Sequence, residues 1–209
     1  PFTLTGAQQR VTAEINAGLA LTHPMQRLVA GDVGSGKTVV AALAALKAVE
    51  NQGQAAVMAP TEILARQHFE KFSAWFTPLG VSVVLLVGSL SAAEKRDALE
   101  KIASGTAQII VGTHALIQTK VIYHRLVLAV IDEQHRFGVT QRLKLMQPNE
   151  EGWVPHQLLL TATPIPRTLA MSYLADLDVS FLDELPPGRQ PVETFLVDEN
   201  YRKRLNAFV

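Results

Sequence analysis

Cysteine is absent from the 209 residues. That excludes disulfides and cysteine-ligated zinc, and it suits a cytoplasmic protein. Aromatic residues are scarce at 6%, which weighs against an aromatic-rich sandwich. Net charge is lacking too, since 19 Lys and Arg balance 19 Asp and Glu. A domain that held nucleic acid by bulk electrostatics would be basic, so any nucleic-acid contact here must be local. No apolar run approaches the roughly 18 residues of a membrane span, and no signal peptide is visible. A membrane partner is therefore not expected. The chain starts at Pro1 without a methionine and stops at Val209 inside an apparent helix, so it reads as a piece of something longer.

Apolar residues make up 48% of the chain, mostly Ala, Val and Leu. A chain of this length buries roughly 70% of its unfolded surface, and this composition favours layered α/β packing. Thr5 offers a helix cap ahead of Val11, Ile15 and Leu19 at helical spacing, Thr61 a second cap, and a further helix is expected over Ser91 to Ala103. Between the helices lie short apolar runs: RLVAG, QAAVMAP, VSVVLLVG, AQIIVGTH, LVLAVIDE, HQLLLTAT and DVSFLDEL. They lack polar alternation, as strands covered on both faces do. Strands separated by helices imply right-handed crossovers and a parallel sheet. The expected fold is a doubly wound α/β domain over about residues 1–185, with a mostly parallel sheet and helices on both faces. ELPPGRQP carries three prolines and a glycine and reads as a linker, so residues 186–209 are expected to lead into another domain.

Gly31-Asp32-Val33-Gly34-Ser35-Gly36-Lys37-Thr38 fits the phosphate-loop pattern G-x-x-x-x-G-K-S/T in full, between a strand and a helix. Backbone N–H groups must turn inward on phosphate oxygens, which calls for glycines at 31, 34 and 36, and the following helix adds a positive dipole end. Lys37 is expected to reach the β- and γ-phosphates and Thr38 to ligate Mg²⁺. A plain glycine-rich turn is the bland alternative, and the complete pattern in this context disfavours it.

Such a loop needs a metal-positioning carboxylate at a neighbouring strand end. LVLAVIDE ends in Asp132 and Glu133. Successive residues of an extended strand point opposite ways, so Asp132 is expected at the metal and Glu133 is the candidate to orient and deprotonate the attacking water. Taken alone, such acids are as readily a solvated loop start; beside an intact phosphate loop the functional reading leads.

At this point the motifs resemble those of superfamily 2 helicases: LTGAQ (4–8), APTEILARQH (59–68), VGTHALIQ (111–118), DEQH (132–135) and TATPIPRT (161–168), in that family's order across nearly the whole chain. Within it, GDVGSGKT, IDEQHRFGV, TATPIPRTLAM and ELPPGR are most similar to bacterial branched-DNA translocases. Transcription-repair coupling translocases are the nearest alternative, and Gln134 departs from their pattern. The resemblance implies the first of two RecA-like lobes of an ATP-driven motor, with a second lobe supplying an arginine finger and an N-terminal wedge domain recognising branched duplex DNA. The assembled motor is expected to be monomeric. It also implies that Gln8 reads adenine, that His135 couples the nucleotide site to Thr161 and Thr163, and that Thr61, Arg66, Gly88, Thr113 and His114 touch the DNA backbone. Singly, each of these has a bland reading as a cap or surface polar group. Arg142 reads as a salt-bridge residue; Trp75 and Trp153 read as packing residues. A non-catalytic ATP-binding scaffold and a phosphate-loop kinase remain as rival classes, the kinase disfavoured by the helicase-type motifs.

Overall fold

The computed structural model describes residues 3–118, 120–133, 145, 152–162 and 177–184. Seven strands form one sheet: β1 (Gln26–Gly31), β2 (Gln54–Met58), β3 (Val83–Leu86), β4 (Ile109–Gly112), β5 (Leu126–Ile131), β6 (His156–Thr161) and β7 (Asp178–Leu182). Their spatial order is β3-β4-β2-β5-β6-β1-β7. Every pairing between them is parallel, so the expected mostly parallel sheet is entirely parallel among the described residues. All C-terminal strand ends therefore lie along one edge.

Among the described residues, the sheet is accompanied by α1 (Gly6–Leu19), α2 (Lys37–Glu50), α3 (Glu62–Phe76) and α4 (Ala92–Ala103). Local chemistry fixes where they start. Thr5 and Gln8 form a capping box on α1, Ser91 and Glu94 another on α4, and the Thr61 hydroxyl accepts the Leu64 N–H at 3.3 Å to cap α3. Side chains at helix starts satisfy N–H groups that have no partner within the helix.

Two cores flank the sheet, and each strand feeds both. Val29, Ala55, Val57, Ile109, Val111, Leu128, Val130, Leu158 and Leu160 pack with α1, α2 and α3 on one face. Their neighbours Leu28, Ala56, Met58, Ile110, Ala129, Ile131 and Leu159 pack with Ala98 and Ile102 of α4 on the other. Strand side chains alternate between faces, so runs of apolar residues are what a doubly covered sheet requires. In α2, Val40, Ala41, Ala44, Ala45 and Ala48 are buried, and small side chains let this helix lie close to the sheet. Phe72 anchors α3, fully buried and with its ring 5.6 Å from that of Phe76. Truncating it to alanine would cost about 3–5 kcal/mol.

Of the two tryptophans expected to pack, Trp75 does, 6.0 Å from the Phe72 ring. Trp153 is 66% exposed, on the rim of a cavity of about 590 Å³ lined also by Lys47, Asn51 and Arg125. The linker segment and Arg142 lie outside the described residues.

Candidate functional site

The phosphate loop joins β1 to α2. Its conformation rests on three glycines, of which Gly34 takes a left-handed φ of 81°. Gly36 takes a left-handed φ of 92°, and a Cβ there would strike the Gln8 side-chain amide. At Gly31 a Cβ would lie 2.6 Å from Ser35 Oγ and 2.8 Å from Leu182 Cβ. Asp32 braces the turn: its carboxylate accepts the Val33 N–H at 2.7 Å and its carbonyl the Ser35 N–H at 3.1 Å. Lys37 opens α2, and its ammonium donates to the carbonyls of Gly31 and Asp32 at 2.6 and 2.9 Å. Thr38 follows on the first turn, half-buried.

The acidic pair lies near that ammonium. Partial burial lowers the Lys37 pKa below the ordinary lysine value, and attraction from Glu133, then Asp132, then Asp32 opposes the drop. Topology explains the meeting: β6 lies between β5 and β1, with Ala30 in register with Thr161 and Ile131 with Leu159. Thr161, expected to couple the site, is buried at the end of this intervening strand.

Strand alternation does not govern the acids as the sequence suggested. β5 ends at Ile131, and Asp132 still donates its N–H to the Met58 carbonyl at 2.9 Å. Glu133 then turns left-handed, with φ 49°. For a non-glycine residue such backbone costs about 1–3 kcal/mol and tends to persist at functional sites. Its placement is set by a turn, not by the pleat.

Gln8, expected to read adenine, has a second attachment. It is 4% exposed; its Oε1 accepts the Thr5 N–H at 3.0 Å, and its Nε2 donates to the Ser35 carbonyl at 3.0 Å. One N–H and one lone pair of the amide remain beyond these bonds. Glu184 closes the same corner by accepting the Ala7 N–H at 3.0 Å.

Sequence reasoning missed His68. Its Nε2 lies 2.8 Å from Asp132 Oδ2, with side-chain exposures of 10% and 14%. The clue was only its place at the end of APTEILARQH, with nothing to connect it to a residue 64 positions away.

The donor set fits a magnesium-bound nucleoside triphosphate. Ser35 Oγ is buried without a partner among the described residues, beside an ammonium, two carboxylates and a glycine loop that side chains would fill. No cluster of three or more His or acidic residues able to cage a metal occurs among the described residues. Mg²⁺ is ordinarily held through one or two protein ligands plus substrate phosphates, and Thr38 with Asp132 would supply such a pair.

The positions expected to meet DNA lie along the other half of the same edge. Thr61, Arg66, Gly88 and His114 are exposed. Thr113 is buried, and its hydroxyl has no partner among the described residues. Arg66 donates to Ser89 Oγ at 3.0 Å, and Glu62 accepts the Ser89 N–H at 3.1 Å, which ties the start of α3 to the turn after β3. His135 and Thr163 lie outside the described residues.

A family model for DEAD/DEAH box helicases matches residues 5–172. The chain belongs to that family. Among curated DEAD/DEAH relatives, it is 55% identical over 206 residues to "ATP-dependent DNA helicase RecG" of Haemophilus influenzae, covering 98% of this chain and 30% of the relative. It is 57% identical over 203 residues to the RecG of Escherichia coli K12, covering 97% and 29%. The chain thus spans under a third of the length of these relatives. Among solved structures, RecG bound to a three-way DNA junction matches with a TM-score of 0.88 at 42% identity, over all of this chain and 27% of that one. The sheet and its helices are those of a RecA-like helicase lobe.

Proposed function

We propose that this chain is the first RecA-like motor lobe of a cytoplasmic, ATP-dependent DNA helicase of the RecG kind, acting on branched duplex DNA in repair and recombination. Residues 1–185 would form the lobe, and 186–209 the linker and start of a second lobe. That second lobe and an N-terminal wedge domain would lie in the same polypeptide, and the motor would work as a monomer. The observation that carries the reading is the meeting of Lys37 with Asp132 and Glu133 at a complete phosphate loop.

ATP is the substrate. The loop N–H groups and Lys37 would bind its phosphates, Gln8 would meet the adenine edge, and Thr38 and Asp132 would hold Mg²⁺. Bound there, magnesium would offset the charge that develops during phosphoryl transfer. Glu133 would orient a water in line with the γ-phosphorus and take its proton as the new P–O bond forms and the bridge to ADP breaks. Thr161, His135 and Thr163 would carry the change onward. Thr61, Arg66, Gly88 and His114 would hold the DNA backbone, with side chains, N–H groups and a helix start as phosphate partners; for the buried Thr113 the contact would fall to its backbone.

An arginine finger contributes about 10³ to 10⁵ in rate. The isolated 209 residues should therefore hydrolyse ATP barely at all, with or without DNA, while the complete protein turns over on junction DNA. In the complete protein, Glu133→Gln should bind ATP and stop hydrolysis. Robust DNA-stimulated turnover by the isolated chain would refute the incomplete-site reading, and normal turnover by Glu133→Gln would mean another base. A scaffold without activity is disfavoured because Lys37, Thr38, Asp132 and Glu133 are all present.

A further inference from the structure

His68 lies on the second turn of α3 and reaches the acidic pair from outside the phosphate-loop half. Its Nε2 stands 2.8 Å from Asp132 Oδ2. An ionised carboxylate can only accept hydrogen bonds, so the proton is on Nε2 and Asp132 Oδ2 is its acceptor. The imidazole is itself fixed: it is 8% exposed, its ring stands edge-on to Phe72 at 6.4 Å and 80°, and Phe72 is the buried anchor of the helix. Nδ1 is buried and has no partner among the described residues, so Nε2 is the ring nitrogen the described fold puts to use. Asp132 is held twice, by its backbone N–H to Met58 and by its side chain to His68, which leaves Oδ1 as the oxygen not committed to His68.

We propose that His68 is a positioning residue for the metal-binding carboxylate: it holds one oxygen of Asp132 so that the other is presented to magnesium. The inference rests on the nucleotide-site reading above. A residue that hydrogen-bonds a metal ligand without touching the metal typically changes metal affinity or activity by about 10- to 100-fold when removed. The bond also ties α3, whose start carries Thr61 and Arg66, to the nucleotide half of the sheet.

The test is the magnesium dependence of binding a fluorescent ATP analogue to the complete protein, alongside ATPase kinetics. His68→Ala should raise the half-saturating magnesium concentration about tenfold or more, with binding recovered at high magnesium. His68→Gln, whose amide nitrogen can take the place of Nε2, should restore most of the loss; His68→Leu, similar in bulk but without a donor, should not. Should His68→Ala fail to fold, the Gln and Leu pair decides. In ATPase assays at saturating ATP the deficit should shrink as magnesium rises, which a general loosening of α3 would not produce. Lys37→Ala serves as the separating control and should weaken nucleotide binding at every magnesium concentration. Wild-type magnesium dependence in both His68→Ala and His68→Leu, with Lys37→Ala impaired, overturns the positioning role and leaves the nucleotide site standing. Equal loss in His68→Gln and His68→Leu also overturns it. Normal binding by Lys37→Ala would instead bring down the nucleotide site itself.

Discussion

The two halves of the sheet's C-terminal edge are built in opposite ways. On the half formed by β5, β6 and β1, several polar side chains are withdrawn from solvent, with Ser35 1% exposed, Thr161 1% and Gln8 4%, while Lys37, Thr38, Asp132 and Glu133 are half-buried and the loop tip at residues 32–34 is exposed. After β2, β3 and β4, the positions proposed to meet DNA are open, with Thr61, Arg66, Gly88 and His114 all exposed. The ligands explain the contrast. A triphosphate tail is small and highly charged, so recognition improves when fixed dipoles surround it out of water. A nucleic-acid backbone is long and must slide, which a flat, wet edge of separate contacts permits. Thr113 breaks the pattern, being buried on the open half.

The largest effect should come from the enclosed half. Lys37→Ala removes an ammonium that attracts the acidic pair, and the ATPase of the complete protein should fall about 10²- to 10³-fold, the range for losing a preorganised charge stabiliser. DNA binding without nucleotide should stay near wild type. On the open half, Arg66→Ala should give the mirror image. Nucleotide affinity should hold, while DNA affinity drops and the slope of log K against log salt shallows by about one, as for one lost phosphate contact. If Arg66→Ala impairs nucleotide binding as much as DNA binding, the halves are not separable.

Much of this division could be read in the sequence, and the reasons are local. Each apolar run became a strand because both faces of a parallel sheet are covered. Thr5 and Thr61 marked helix starts because capping is decided within four residues. The phosphate loop was legible because its glycines, lysine and threonine are contiguous. What escaped depends on chain segments meeting at a distance. His68 meets Asp132 only because α3 starts just after β2 and β2 pairs with β5, and the order of strands cannot be read from their order in the chain. Glu133 is legible as a candidate base, but its left-handed turn is not, because strand alternation stops with β5 at Ile131. Trp153 was assigned to packing on composition alone, since nothing nearby in sequence told which face it would take.

A moderate effect should separate two roles of Gln8. Its amide both completes the α1 cap and holds the Ser35 carbonyl, so Gln8→Ala should destabilise by about 1–3 kcal/mol, the cost of leaving buried polar groups unpaired. Gly36→Ala attacks the same contact from the other side: left-handed backbone adds about 1–2 kcal/mol, and the new methyl displaces the amide. Urea unfolding midpoints and ATP-analogue affinity should fall together in both variants. If Gln8→Ala lost affinity with an unchanged midpoint, its contribution would lie in reading the base alone, and the enclosed half would owe less to packing than the burial suggests.

The smallest effect lies at the far edge, away from both halves. His156 begins β6, and its Nδ1 accepts the Met25 N–H at 2.9 Å, a bond available only to the neutral ring. Burial, and to a lesser degree the nearby His23, lowers its pKa below the ordinary histidine value. The unfolded chain then binds more protons than the native one between that lowered value and about 6.5. Stability from this group is complete above that window and is lost as pH falls through it. The urea midpoint should therefore decline modestly from pH 7 to pH 5. His156→Asn, whose side-chain oxygen can accept the same N–H without titrating, should flatten that decline. Because His156 and the phosphate loop lie at opposite ends of their strands, nucleotide affinity at fixed pH should not change in this variant. A change in affinity would mean that the sheet transmits strain along its length, and the division between its halves would then be a matter of surface chemistry and not of mechanical independence.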